Sequence, residues 1–260
     1  MIKQSIKKAI TSDILKPCRE LVPKGVKKKV VRWLREDKYR ALVSVDELQP
    51  QFEKAWTFLH QLQGAEALGD YLEFGVSHGT SMNCMYQTLK NQRLHKVRLF
   101  GFDSFEGMPE EAETQDEGTW RAGQFCSSLE NTSKFLTKNG VDWQKTLLTK
   151  GWFADTLTEK FKEKHQLKKA SVIMIDCDIY SASLEALQFS ASLIKDVSII
   201  VFDDWNSSNL ADKNLGEKKA FEEFMATHPH FVAEDFSTYS YKGKPNGKLF
   251  KITNMNSVLS

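Results

Sequence analysis

At 260 residues and 29.8 kDa, with 41% hydrophobic and 11% aromatic residues, the chain has apolar material for one α/β domain with additions, or at most two small domains. A net charge of +2 and a mean hydropathy of -0.43 describe an ordinary soluble composition, and no apolar run reaches the ~18–20 residues of a membrane span. Cys18, Cys84, Cys126 and Cys177 show no CxxC or CxH spacing, which argues against a zinc site or a disulfide frame. Reduced thiols, and N-terminal lysines with no apolar stretch behind them, make a cytoplasmic protein the expectation.

The charge is uneven. Residues 1–40 hold 13 Lys/Arg against 4 Asp/Glu. Ile2, Ile6, Ile10 and Ile14 recur every fourth residue, as do Val22, Val26, Val30 and Leu34. Two amphipathic helices with basic outer faces are expected, separated near Pro17 and Pro23. Residues 1–48 are therefore read as a basic helical extension and 49–260 as the main domain. The extension suits a lid or a homo-oligomer contact; the sharper alternative is an anionic membrane surface, with peripheral attachment to the inner membrane face. Nucleic acid is not expected, because only Trp33 and Tyr39 interleave the positive charges.

A helix is predicted over 51–63, with Phe52, Trp56, Leu59 and Leu62 on one side and His60 as a packing residue. A strand–helix alternation then begins. Strands are predicted at 71–75, 97–102, 146–149, 171–175 and 198–202, and helices at 82–90, 127–139, 156–165, 182–195 and 216–227. Two long loops, 104–123 and 206–215, interrupt the series. Two last strands near 231–236 and 248–253 flank Lys244-Pro-Asn-Gly247, read as a hairpin turn. Regular alternation of this kind predicts a mostly parallel sheet with helices on both faces, closed by an antiparallel pair.

Two of these strands end in acids. Val172–Ile175 runs into Asp176 and Asp178, and Ile199–Phe202 runs into Asp203 and Asp204. Open α/β sheets bind ligands at the carboxyl ends of their strands. Four converging carboxylates repel one another unless a cation neutralises them. An all-oxygen donor set from Asp176, Asp203 and Asp204 suits Mg2+, with Mn2+ or Ca2+ as alternatives. A hydroxyl near such a cation loses its proton more easily, and Asp178 is placed to take it as general base. The plain alternative is a set of helix caps and solvated strand ends.

The first strand–turn–helix, E-F-G-V-S-H-G-T-S, carries Gly75 and Gly79, which let the backbone turn tightly and approach a ligand. The GxxxG spacing is weak by itself. Asp103 ends the second strand, where an acid commonly holds a ribose diol. With Glu73 it points to a nucleoside cofactor. Trp152 and Phe153 are suited either to stacking on an adenine or to closing the core.

Five segments in this order resemble the macrocin O-methyltransferase family: L-E-F-G-V-S-H-G-T-S (72–81), G-F-D-S-F-E-G-M-P (101–109), G-W-F-A-D-T-L (151–157), I-D-C-D-I-Y-S-A-S (175–183) and V-F-D-D-W (201–205). The similarity extends over roughly 50–250 and includes G-E-K-K-A-F-E-E-F (216–224). Trp205 departs from the tyrosine more usual there. The resemblance implies a class I methyltransferase: a Rossmann-like seven-stranded sheet, mostly parallel with its last strand antiparallel. It also implies S-adenosylmethionine and a divalent metal, and transfer to a hydroxyl of a sugar-containing acceptor, such as a natural-product deoxysugar or a surface glycan. Carried over by motif, Glu73, Gly75 and Ser81 would surround the methionine part of the cofactor, with Asp103 and Ser104 at the ribose and Trp152 and Phe153 at the adenine. Asp176 would touch cofactor and metal, Asp203 and Asp204 the metal, and Asp178 would be the base. The loop 105–123, with Trp120, matches a family segment that closes over cofactor and substrate. Two rivals remain: a glycosyltransferase using Asp176-Cys-Asp178 as a metal-binding DxD, and a non-catalytic cofactor-binding scaffold.

Overall fold

The computed structural model describes residues 45–241 and 243–258; the two expected N-terminal basic helices lie outside the described residues. Seven strands form one sheet: β1 (Asp70–Phe74), β2 (Leu99–Asp103), β3 (Thr146–Lys150), β4 (Ala170–Ile175), β5 (Val197–Phe202), β6 (Phe231–Tyr241) and β7 (Lys244–Asn254). Their order is β3-β2-β1-β4-β5-β7-β6. Neighbours among β1–β5 pair in parallel, and β7 runs antiparallel to both β5 and β6. This is the expected class I methyltransferase sheet.

The helices are α1 (Val45–Gln63), α2 (Thr80–Asn91), α3 (Leu129–Lys138), α4 (Phe153–Thr156), α5 (Glu159–Lys164), α6 (Tyr180–Ala191), α7 (Gly216–Thr227) and α8 (Met255–Val258). Strand alternation sorts the core into two layers. Val172 and Met174 of β4, with Ile199 and Val201 of β5, face a layer built by α1, α2 and α3. Ile173, Ile175, Ile200 and Phe202 face the opposite layer, built by α5, α6 and α7. Apolar residues on both faces explain why these strands read as continuous hydrophobic runs rather than alternating ones. No helix among the described residues is long and apolar enough to cross a membrane.

Three local expectations change. The buried face of α1 is Leu48, Phe52, Ala55, Trp56 and Leu59, while Leu62 is 54% exposed and His60 is also exposed. The helix expected at 156–165 is two short ones, because Thr158 turns extended and its side chain caps α5 by accepting from the Phe161 N–H. Lys244-Pro-Asn-Gly247 is not the hairpin turn but the start of β7. β5 pairs with β7 only from Lys248 onward, so the 244–247 stretch pairs with β6 alone. A proline is tolerated where one side of the strand needs no ladder bond.

Candidate active site

The strand order reverses between β1, flanked by β2, and β4, flanked by β5. At such a switch point the crossovers diverge and leave a crevice beyond the strand ends. A cavity of about 1380 Å³ occupies that place, lined by Gly75, Asp103, Gly151, Asp176, Asp203 and the loops that follow them. Gly75 has φ +93°, and a Cβ there would lie 1.7 Å from the Asp176 carbonyl oxygen. No side chain fits, so glycine lets the ends of β1 and β4 meet at the cavity floor.

Asp176, Asp203 and Asp204 each bring a carboxylate oxygen within 4.8 Å of the others. At that spacing each charged pair repels by roughly 3 kcal/mol or more, at an effective dielectric of ~20. Among the described residues, no lysine or arginine forms an ion pair with these three, with Asp178 or with Glu217. The cavity lining likewise contains no Lys, Arg or His among the described residues. Burial, then the charge of Asp204, pushes Asp203 up to about 7, against a hydrogen bond from Tyr239 that lowers it. Burial, then Asp203, Asp204, Asp178 and Glu73, drives Asp176 well above the carboxylate range. A compact all-carboxylate donor set of this kind is chemically suited to Mg2+ or Mn2+.

Two of the three acids, Asp203 and Asp204, are held from outside. The Tyr239 hydroxyl donates to Asp203 Oδ1, and Asn246 Nδ2 donates to the Asp203 carbonyl at 2.5 Å. The single Ser207 hydroxyl proton lies within reach of both Asp204 Oδ1 and Asn246 Oδ1. Tyr239 stands across from Gly247 in the β6–β7 ladder, and a Cβ on Gly247 would lie 2.1 Å from the tyrosine ring. The bare glycine lets the ring lie flat across β7 with its hydroxyl on the acid. Glu217, at the first turn of α7, is fully buried; its Oε2 accepts from the Asp204 N–H and its Oε1 has no partner among the described residues. Burial and the charges of Asp204, Asp203 and Asp178 push its carboxyl well up.

Asp178 has φ +65° in the connection from β4 to α6 and is nearly buried. It lines the same cavity as the trio. Burial first, then the charge and hydrogen bond of Asp204, raises its carboxyl strongly.

The expected cofactor residues divide. Gly75, Asp103, Ser104, Trp152, Phe153 and Asp176 line the cavity. Asp103 accepts from the Ser77 N–H at 2.7 Å and the Phe105 N–H at 2.5 Å, which fixes its carboxylate at the end of β2. Burial raises its pKa against these backbone bonds. Ser104 is engaged within its own turn, donating to the Gly107 carbonyl. Trp152 is 40% exposed and does not close the core, whereas Phe153 packs edge-on against Phe74. Glu73, Gly79 and Ser81 lie behind the wall and do not line the cavity. Glu73 is fully buried, accepting from the Tyr71 hydroxyl at 2.6 Å and Ser81 Oγ at 2.8 Å. Burial holds its carboxyl at about 8, so it is protonated at neutral pH. Gly79 starts α2 in a left-handed conformation, packed against Thr132 and Leu136.

The sequence pattern described as Macrocin-O-methyltransferase (TylF) matches residues 51–234, more than half of the chain. The chain belongs to this family. A curated relative, the 8-demethyl-8-(2,3-dimethoxy-alpha-L-rhamnosyl)-tetracenomycin-C 4'-O-methyltransferase of Streptomyces olivaceus, is 27% identical over 143 residues. That match covers 53% of each chain, so the protein spans about half the length of the curated relative it matches. Among solved structures, the O-methyltransferase NovP has a TM-score of 0.61 at 18% identity, covering 77% of this chain and 78% of its own. The calicheamicin methyltransferase CalS11 has a TM-score of 0.60 at 17% identity, covering 96% and 90%. At these identities the likeness establishes the fold.

Sequence reasoning missed Glu217, Tyr239, Ser207 and Asn246. Only Glu217 left a signal: it sits in the 216–224 segment that resembles the macrocin O-methyltransferase family, where it reads as an ordinary acid in a first helical turn.

Proposed function

We propose that the protein is an S-adenosylmethionine- and Mg2+-dependent O-methyltransferase acting on a hydroxyl of a sugar-containing acceptor. The observation that carries this reading is one cavity holding the Asp176–Asp203–Asp204 trio, with Asp178 on the same wall. The name of the Streptomyces olivaceus relative, which methylates a rhamnosyl group, supports the sugar acceptor.

In this reading Asp176, Asp203 and Asp204 hold the metal, and Asp103, Trp152 and Phe153 bind the nucleoside end of the cofactor. When bound, S-adenosylmethionine supplies an electrophilic methyl group and Mg2+ lowers the pKa of a hydroxyl beside it. Asp178 receives the hydroxyl proton on its carboxylate. The floor at Gly75 and Asp176 and the cover formed by Met108, Trp120 and Phe125 hold the reactants in line and keep water out. Such placement is worth up to ~7–11 kcal/mol of barrier. Glu73, Ser81 and Gly79 serve by bracing β1 and α2 behind the cofactor.

The glycosyltransferase alternative would use Asp176-Cys-Asp178 to hold a nucleotide-sugar diphosphate. The cavity offers that anion no Lys or Arg among the described residues. A non-catalytic scaffold would have little use for four acids gathered in one cavity, two of them buried and all costly to ionise together. Val45–Leu48 belong to α1, whose Leu48 sits in the core, so the extension that we read as serving oligomer formation or contact with an anionic membrane surface is the basic sequence before Val45.

The decisive experiment is Asp178→Asn. Turnover should fall by about 10²–10⁴-fold, the usual contribution of a general base, with S-adenosylhomocysteine and Mn2+ still bound. Full turnover in this variant would remove Asp178 from the chemistry.

A further inference from the structure

Helices α6 and α7 both begin beside Asp178, and neither begins with a capping side chain. The residue before α6 is Ile179 and the residue before α7 is Leu215; neither can accept from an orphan N–H. The acceptor comes from a distant loop. Asp116 Oδ2 accepts from the Tyr180 N–H at 3.0 Å, and its Oδ1 accepts from the Gly216 N–H at 2.8 Å. Gln115 Oε1 takes the next amide of α6, Ser181 N–H, at 3.1 Å. One buried carboxylate therefore caps two helices, where both macrodipoles favour an anion.

The turn that presents Asp116 is built for this. Asp116 and Glu117 both have positive φ, +49° and +56°. Such residues persist only where their surroundings hold them. The Thr119 hydroxyl and N–H bond back to the Asp116 carbonyl, and Glu117 pairs with Lys213 at 2.6 Å. Beside the turn, Ile179 packs against Met108, Ala112, Trp120 and Leu210.

Asp178 lies between the two capped amides. Tyr180 is two residues after it, and a Cβ on Gly216 would come 3.8 Å from the Asp178 carbonyl oxygen. The loop that carries Met108 and Trp120 to the cavity is thus fastened to the backbone on both sides of the proposed base.

We propose that Asp116 is a positioning residue: by capping α6 and α7 together, it makes the seating of loop 104–123 and the placement of Asp178 a single event. The consequence for turnover rests on the reading of Asp178 as base; the mechanical coupling does not. The test is hydrogen exchange on the full chain, with limited proteolysis of the loop, S-adenosylhomocysteine titration and Mn2+ titration. Asp116→Ala should speed exchange at both Tyr180 and Gly216 by roughly 5- to 30-fold, the factor a lost cap is worth. Cleavage within 104–123 should rise in parallel, while Mn2+ affinity stays within about 3-fold, the trio lying outside the bonds removed. Asp116→Asn keeps one acceptor oxygen and should restore protection at only one of the two amides. If Asp116→Ala does not fold, Gln115→Ala should expose Ser181 and the loop while Gly216 stays protected. Faster exchange at one helix alone, or a loop no easier to cleave, would overturn the coupling. A parallel collapse of Mn2+ affinity would overturn it too, by showing that Asp116 acts through the metal trio. A wild-type protein that binds neither Mn2+ nor S-adenosylhomocysteine would sink the functional reading while leaving the coupling measurable.

Discussion

Removing divalent metal should make this protein less stable as pH rises, the reverse of what a salt-bridged carboxylate gives. Asp203 titrates near 7 in the folded chain and near 3.8 as a free side chain. Between those values the unfolded chain has lost a proton that the folded one keeps. Unfolding then releases protons, and stability falls with rising pH. The loss begins above the unfolded value and is complete once pH passes the folded one. About 3 units at 1.36 kcal/mol each gives about 4 kcal/mol from Asp203. For a chain of this size, that corresponds to roughly 8–16 °C in Tm. The assay is thermal melting in a chelator at pH 5 and pH 7.5, repeated in excess Mg2+ or Mn2+. The metal-free midpoint should drop across this interval. At 100 times its Kd, the metal should return about 2.7 kcal/mol, and more at the higher pH, where its ligands are ionised. Asp203→Asn should flatten the pH dependence and abolish the metal shift. A metal-free midpoint that rises from pH 5 to 7.5, or one that no divalent ion moves, would refute both the charge accounting and the metal assignment.

Three further outcomes follow from the same geometry. Trp152→Ala should weaken S-adenosylhomocysteine binding by calorimetry while changing stability by no more than about 0.5 kcal/mol, because the indole is exposed at the cavity and carries no core contact. Tyr239→Phe should lower Mn2+ affinity by about 10-fold or more, as loss of an outer hydrogen bond to a metal ligand does, and Gly247→Ala should do the same by displacing the ring. Gly75→Ala should abolish soluble expression or cost more than about 4 kcal/mol in urea unfolding, because its Cβ collides with backbone rather than with a movable side chain.

The sheet was legible because each parallel strand is a short apolar run stopped by a charge or a glycine. Asp103, Asp176, Asp203 and Asp204 stand at those stops, and a parallel topology must bring such stops to one edge. Glu73 stands differently from these strand-end acids. It lies within β1, alongside Tyr71 on the face toward α2, so it points into a layer and not off the strand end. The outer supports were not legible. Tyr239 and Asn246 reach Asp203 from 36 and 43 residues away, through an antiparallel hairpin whose register no local pattern fixes. Asp116 was hidden in a loop of acids, where nothing in sequence separates a cap for two distant helices from a solvated charge. The split of 156–165 had a readable signal in Thr158, a capping residue in mid-pattern.

The β6–β7 hairpin then has a role beyond completing the sheet. Asp103, Asp176, Asp178, Asp203 and Asp204 come from the ends of parallel strands or the first turns behind them, where the backbone fixes where the chain goes but not how a carboxylate rotates. Asp203 is oriented by Tyr239 of β6 and Asn246 of β7, and Asp204 by Ser207, which lies within reach of the same Asn246. The antiparallel extension brings these groups back over the strand ends, which a further βα repeat, turning away into a helix, would not do. Its glycine-seated tyrosine holds one carboxylate in place against repulsion from its neighbours. The apolar layers on both faces supply the stability from which that repulsion is subtracted.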